Sequence, residues 1–242
     1  MQPHSQQRQK MLKHLQQRQK QLQEMRSDFY TSRGTHVYFK DDLTDDDIDV
    51  EHVVAKIESR IPDHLLSELE MIVVGWFDEF EERSLSAFYK DGILHISNIQ
   101  DDEEDMYDDM LHEIGHSLES PLGYFIYEDQ KIKDEFLRKR KHLHDLLWAS
   151  GFKAPMSFFE NTEYNEEFDM FLYKKIGYDK LAALIRGLFI SAYAPTSLRE
   201  YFATGFTEFY LDSDHSYLKR VSPALYEKLS LLQDSNMLDM HV

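Results

Sequence analysis

The chain has 242 residues, with 45 Asp or Glu against 27 Lys or Arg, so its formal net charge is −18. A strongly negative surface repels nucleic-acid phosphates and anionic lipids, so we expect neither nucleic acid nor a membrane to bind the main body. The sequence contains no cysteine, which excludes disulfides and thiol catalysis and leaves His and carboxylates as metal ligands.

Residues 1–33 are predicted to form a basic, Gln-rich helical tail. Within residues 1–26 there are six Lys or Arg against one Glu, and QQRQK occurs twice. Apolar residues recur at helical spacing, namely Met11, Leu15, Leu22, Met25 and Phe29. Two interpretations stay open, a solvated tail and a helix that dimerises or docks a partner. The segment lacks the apolar core of a signal peptide, so we expect a cytoplasmic protein, with a secreted or host-delivered effector as the alternative.

Residues 34–242 are predicted to form one α+β domain. Strands are expected over 34–40 and 71–77, and a hairpin over 86–99 turns at Lys90-Asp91-Gly92. A helix over Asp45–Arg60 lies among these strands, and helices dominate after the acidic run at 101–109. Their predicted ranges are 127–149, 163–175, 178–190, 197–211, 214–220 and 223–233. Strands followed by helices are typical of the α+β class.

The sequence HEIGH at 112–116 places two histidines on one face of a helix. Residues four apart lie one above the other, so His112 and His116 could bind one ion. Glu113, between them in sequence, could then act on water as a general base, the arrangement used by zinc peptidases. Gly115 would let another backbone approach closely. The alternative is a structural helix whose polar side chains are satisfied by hydrogen bonds.

A catalytic zinc ion takes three protein ligands and leaves a position open for water. In a chain without cysteine the third ligand must be a His or a carboxylate. Glu119 follows His116 by less than one turn and is poorly placed to complete the site. We therefore expect the ligand on a later helix, and the segment SLREYFATGF at 197–206 carries Glu200 in its first turn.

Together with Tyr193, seven residues before Glu200, these segments resemble the catalytic domain of anthrax lethal factor and the related bacterial Pro-Pro endopeptidases. Those zinc metallopeptidases carry HExGH followed by Tyr-x6-Glu-[Tyr/Phe]-Phe-Ala-x-x-Phe. The resemblance covers about residues 70–235 and implies a zincin-like domain, in which a small N-terminal sheet and the active-site helix precede a mostly helical part. The implied ligands of one Zn²⁺ ion are His112, His116 and Glu200.

The same resemblance implies roles for two further side chains. Glu113 would be the general base, and Tyr193 would donate a hydrogen bond to the oxyanion. The sequence departs from the family at Thr204, where a second Glu is common. Glu208, one turn further on, is the expected substitute.

We therefore expect a zinc-dependent endopeptidase that binds a protein or peptide substrate in extended form beside an edge strand. Two alternatives stay open: a non-catalytic zincin relative that acts as a protein-interaction or regulatory module, and a helical binding protein without metal. The acidic run at 101–109 is either a solvated lead-in or a selector of basic substrate side chains. His142 and His144 are expected at the surface. His95 is expected to be an ordinary strand residue, with a place in the substrate groove as the alternative.

Overall fold

The computed structural model describes residues 28–45, 47–83, 85–211 and 213–236. The predicted helical tail lies outside the described residues up to position 27. At its end, Phe29–Tyr30 forms strand β1, so these two residues belong to the sheet and Phe29 does not continue a helical seam. The ring of Phe29 packs against that of Phe39, with 6.4 Å between centroids, and this aromatic contact across two strands favours the extended form.

Five strands form one sheet in the order β1-β2-β3-β5-β4. The strands that follow β1 are β2 (His36–Phe39), β3 (Met71–Val74), β4 (Ala87–Lys90) and β5 (Ile93–Ile96). Strands β2, β3 and β5 are parallel, whereas β1 and β4 run antiparallel to their neighbours. The sheet therefore ends at β4, whose outer edge has no neighbouring strand among the described residues.

The predicted hairpin is confirmed as β4 and β5. Its two-residue turn holds Asp91 at φ 50° and Gly92 at φ 85°. A tight turn of this kind needs positive φ at both central residues, and Asp-Gly is a sequence that tolerates it. The strands predicted over 34–40 and 71–77 are confirmed as β2 and β3, which are shorter than their predicted ranges.

The first three α-helices are α1 (Val50–Arg60), α2 (Asp78–Arg83) and α3 (Glu103–Ser117). Helix α1 begins five residues later than predicted because the Asp49 side chain caps it, accepting from the His52 amide. Asp102 caps α3 in the same way. From Asp102 onward, the acidic run therefore supplies both the cap and the first turns of α3, where negative charge is favoured.

The remaining α-helices are α4 (Glu119–Tyr127), α5 (Lys131–Ala149), α6 (Ser157–Glu160), α7 (Glu166–Met170), α8 (Tyr178–Leu184), α9 (Leu198–Leu211), α10 (Ser216–Val221) and α11 (Pro223–Leu232). A short 3-10 helix spans Asp63–Leu65 and a π-helix spans Phe171–Ile176. This mixed architecture agrees with the predicted α+β class in general terms. None of the helices in the described ranges combines the length and the apolar character that a membrane crossing requires.

The helix predicted over 163–175 is observed as α7 followed by the π-helix, and two further predicted helices are shorter than expected. The helix predicted over 127–149 is confirmed only from residue 131, because Gln130 adopts a left-handed φ of 58° that separates α4 from α5. The helix predicted over 178–190 ends at Leu184, and Gly187 follows at φ 80°. A residue at positive φ cannot continue a right-handed helix, so the chain leaves the helical path there.

Helices α3 and α9 pack closely against each other in the core. A Cβ atom on Gly115 would lie 3.1 Å from the Ala203 Cα and 3.3 Å from the Phe206 Cβ. The prediction that Gly115 lets another backbone approach is therefore confirmed. This contact brings the first turn of α9 beside the HEIGH segment.

Candidate metal and catalytic site

The side chains of His112, His116 and Glu200 converge although Glu200 is more than eighty residues away in sequence. The Glu200 Oε2 atom lies 3.0 Å from His112 Nε2 and 3.3 Å from His116 Nε2. One ligand atom from each of the three residues lies within 4.8 Å of the others. Their side chains are 13% to 23% exposed. Three potential ligands are thus held together in a partly shielded position.

The spacing of these atoms fits a small tetrahedral cation. Zinc binds imidazole nitrogen and carboxylate oxygen at about 2.0–2.2 Å, so two ligand atoms of a tetrahedral site are about 3.4 Å apart. The observed separations of 3.0 and 3.3 Å are close to that value. Two of the three separations are therefore already close to those of a tetrahedral site, and the third lies within 4.8 Å.

The start of α9 fixes the direction of Glu200. The Ser197 hydroxyl accepts from the Glu200 amide at 3.1 Å, so Ser197 caps the helix. A Glu in this position of a capping sequence commonly turns back to the amide of the cap residue. Here its carboxylate instead bonds the two histidines, and the positive end of the helix favours its negative charge.

Electrostatics keep this carboxylate ionised. Burial alone would raise the pKa of Glu200, but hydrogen bonds and charges from His112 and His116 outweigh it and lower the pKa to about 2. For His116, burial opposes protonation, but the carboxylates of Glu119 and Glu200 raise the pKa to about 10. Two cationic or metal-bound imidazoles would therefore be compensated by acidic groups.

Glu119 lies behind His116 and does not lie among the converging ligand atoms. Its Oε1 is 3.8 Å from His116 Nδ1, a buried nitrogen without a hydrogen-bond partner among the described residues. Tyr127 donates to Oε1 at 3.1 Å and Arg199 binds Oε2. The sequence-based view that Glu119 cannot complete the site agrees with this geometry, but its position behind a ligand was missed. Carboxylates in this position orient histidine ligands and increase their basicity.

Glu113 lies at the edge of the sheet. Its Oε2 accepts from the Tyr89 amide of β4 at 3.0 Å. Burial raises the pKa of Glu113, and the charges of His116 and His112 oppose that shift. A carboxylate with a raised pKa is better suited to accept and release a proton near neutral pH. The predicted general base is thus placed between strand β4 and the histidines.

A cleft of about 850 Å³ contains all five predicted site residues, including Tyr193. The ring of Tyr193 stands edge-on to Tyr178, with 6.3 Å between centroids. Asp169 accepts from the hydroxyls of Tyr164 at 3.0 Å and Tyr178 at 2.7 Å. Burial, followed by the charges of Glu200 and Asp169, raises the pKa of Tyr193. Its phenol therefore remains protonated and able to donate at physiological pH.

Two acidic residues of the run at 101–109 also line this cleft. Asp108 and Asp109 precede the histidines on α3 and face the same space. Burial raises the pKa of Asp109 to about 7, with a further contribution from the charge of Asp105. The last part of the run therefore lines the cleft, and both interpretations of the run stay open. Asp109 precedes Glu113 by four residues, one helical turn, and this spacing was the signal available in the sequence.

The position that departs from the family pattern is buried beside the ligands. Thr204 is 9% exposed and lines the cleft, as does Glu208 one turn later. Both lie on the face of α9 that begins with Glu200. The structure thus places the expected substitute, Glu208, in the cleft.

The other histidines of the described ranges do not line the cleft. The ring of His95 stacks on Phe88 at 4.3 Å, and neither His95 nor Asn98 lines the cleft. His142 is exposed, as predicted. The expectation for His144 is met only in part, because its ring packs against Trp148 and Phe159 and its side chain is 18% exposed. The contact with two aromatic rings explains this partial burial.

Comparisons with known proteins give no relative of this chain. No protein-family model matches the sequence, and searches of curated proteins and of solved structures find no match either.

Proposed function

We propose that the protein is a zinc-dependent endopeptidase with a zincin-like active site. The observation that carries the proposal is the convergence of two imidazole nitrogens and one carboxylate oxygen, 3.0 and 3.3 Å apart, beside a buried glutamate at a sheet edge. His112, His116 and Glu200 would hold the ion. When bound, zinc supplies a Lewis acid that polarises the scissile carbonyl and acidifies water.

Strand β4 is the proposed binding edge for the substrate backbone. The Ser86 carbonyl accepts from the Ser97 amide at 2.7 Å, so the backbone groups of Phe88 and Lys90 also face β5. Those of Ala87 and Tyr89 face the opposite way. Residues 85–89 line the cleft. An extended peptide can therefore lie along β4 as an added strand, held through the backbone groups of Ala87 and the carbonyl of Tyr89, because the Tyr89 amide already donates to Glu113.

Glu113 carries the proton in the proposed reaction. Its carboxylate takes a proton from the attacking water as the scissile carbonyl becomes tetrahedral, and passes it to the leaving amine as the C–N bond breaks. The Tyr89 amide holds one carboxylate oxygen in place at 3.0 Å. Donation from Tyr193 stabilises the negative charge on the tetrahedral oxygen, since the raised pKa keeps this phenol protonated.

The test is a metal and activity assay on the wild-type protein and Glu113→Gln. We expect both to bind one zinc ion with similar affinity, while the variant loses peptide cleavage by about 10²–10⁴-fold, the usual contribution of a general base. Cleavage products from a denatured proteome, with the variant as blank, give the substrate. Zinc binding without cleavage in the wild type would identify a non-catalytic relative, and absence of zinc binding would exclude both interpretations.

A further inference from the structure

Arg140 is a charged residue of α5 buried in the helical part of the molecule. It is 1% exposed, and the Phe168 ring lies 4.3 Å from its guanidinium carbon. Among the described residues no carboxylate lies within 4 Å of its side-chain nitrogens. A buried cation without a counter-ion is costly, so its hydrogen bonds must be important for the structure around it. Burial lowers the pKa of Arg140 to about 9, which leaves it cationic at neutral pH.

The guanidinium bonds backbone carbonyls from two separate segments. Nη1 donates to the carbonyl of Pro195 at 2.6 Å and is 3.4 Å from that of Thr196. Nη2 donates to the carbonyl of Phe158. The planar fork of arginine can hold two diverging acceptors at once, which the single ammonium of lysine cannot do with the same geometry. Arg140 thereby joins the end of α6 to the loop before α9.

That loop joins Tyr193 to the helix that carries Glu200, and both are predicted residues of the candidate site. Tyr193 is two residues before Pro195, and its carbonyl accepts from the amide and the hydroxyl of Thr196 at 2.9 and 2.8 Å. Ser197, the next residue, caps the helix that carries Glu200. The two carbonyls near Arg140 Nη1 therefore lie between Tyr193 and Glu200 in the sequence.

We infer that Arg140 is a positioning residue that holds the Tyr193 phenol in the cleft by fixing the loop from Tyr193 to Ser197. The expected effect on kcat rests on the proposed function, because it requires that the protein cleaves peptides. The loop-fixing part is independent of activity, because it concerns only hydrogen bonds within the chain.

Amide hydrogen exchange tests the fixing of the loop directly. In Arg140→Met and Arg140→Lys, we expect exchange at the amides of Thr196 and Leu198 to accelerate by about 10- to 100-fold, the loss expected for a hydrogen bond from a charged donor. The matched control is Lys228→Met, which removes another buried cation that donates to a backbone carbonyl, that of Phe125 at 2.7 Å. Unchanged exchange in the Arg140 variants, or equal acceleration in the control, would overturn the inference even in a protein that cleaves nothing.

Kinetics test the action through Tyr193. We expect Arg140→Lys to lower kcat by about tenfold or more, with little change in KM or zinc content. When Tyr193→Phe is already present, adding Arg140→Lys should lower kcat further by less than about threefold. Equal factors in the two backgrounds would show that Arg140 supports only the fold. Lys is the conservative variant that carries this test if the Met variant does not fold. A failure of the proposed function appears separately, as a wild-type protein without zinc-dependent cleavage.

Discussion

Two neighbouring residues of α9, Glu200 and Tyr201, belong to two clusters of buried polar groups that are satisfied very differently. The Tyr201 hydroxyl donates to Glu135 at 2.8 Å and accepts from Lys139 at 2.7 Å, while Lys139 also donates to Ser222. Glu135 in turn accepts from the amides at the start of α11. Opposite charges, donors and acceptors are matched within the protein, as expected of a structural network.

The Glu200 cluster lacks this internal balance. Two imidazoles share a single carboxylate oxygen, and the buried His116 Nδ1 has no hydrogen-bond partner among the described residues. Carboxylates of Asp108 and Asp109 face the same cleft. The proposed zinc ion would balance the excess of acceptors and acids around the two histidines, whereas the cluster around Tyr201 is matched without an ion.

The largest effect expected from this difference is that of Glu200→Gln. Removing the charged ligand should weaken zinc binding by more than about 100-fold, since even residues that only orient ligands contribute 10–100-fold. Tyr201→Phe is the matched control: it should leave zinc affinity unchanged and lower the free energy of unfolding by about 1–3 kcal/mol, because buried partners lose a hydrogen bond. Competition titration with a zinc chelator and denaturant unfolding measure the two quantities. Equal zinc affinity in both variants would contradict the distinction.

A smaller effect is expected from Glu119→Gln. The change removes the negative charge 3.8 Å from His116 Nδ1, so zinc affinity should fall by about 10- to 100-fold without loss of the ligand itself. The control is Glu227→Gln, which removes an acid paired with Lys131 at the surface. If both variants bind zinc as the wild type does, Glu119 does not orient the histidine.

The smallest effect is expected from Asp109→Asn. Because the pKa of Asp109 is raised to about 7 in the folded protein, the fold keeps a proton that the unfolded chain releases above about pH 4. Stability should therefore fall as the pH rises from about 4 to 7 and stay low above that range. The variant lacks this loss, so its stability relative to the wild type should rise between pH 4 and pH 8 by at least about 1 kcal/mol, the value of one pKa unit. Thermal unfolding as a function of pH measures the difference, and a gain independent of pH would contradict the assignment.

Short-range patterns predicted much of the molecule from sequence. The hairpin turn at Asp91-Gly92 and the two histidines of α3 depend on residues within a few positions of each other, so their geometry follows from local rules. Glu200 was singled out by its helix and by the resemblance of its segment to a known motif. Its convergence with the histidines depends on the packing of α3 against α9, and Gly115 was the one local signal for that contact.

The features that were missed depend on tertiary contacts. Arg140 lies in a highly charged helix, where periodicity gives no sign that one cation is buried against Phe168. Glu119 is held by Tyr127, which lies at the other end of α4, and by Arg199, which lies in α9. Gln130 adopts a left-handed backbone conformation. Gly or Asn is the usual residue in that conformation after a helix, so nothing in the sequence indicated that the helix ends there. Long-range partners decide the case of Arg140 and, through Arg199, part of the case of Glu119, whereas Gln130 donates to the carbonyl of nearby Tyr127.

The polarity of the two helices gives the candidate site one more property. His116 is the last residue but one of α3, and Glu200 is the third residue of α9. A cation between them would face the negative, C-terminal end of the α3 dipole and the positive, N-terminal end of the α9 dipole. The effects of the two helix dipoles on the cation would therefore largely cancel. Selection among divalent ions would then depend on the donor atoms and on the room around them, and an ion with the same preferences as zinc could replace it with little change in the backbone.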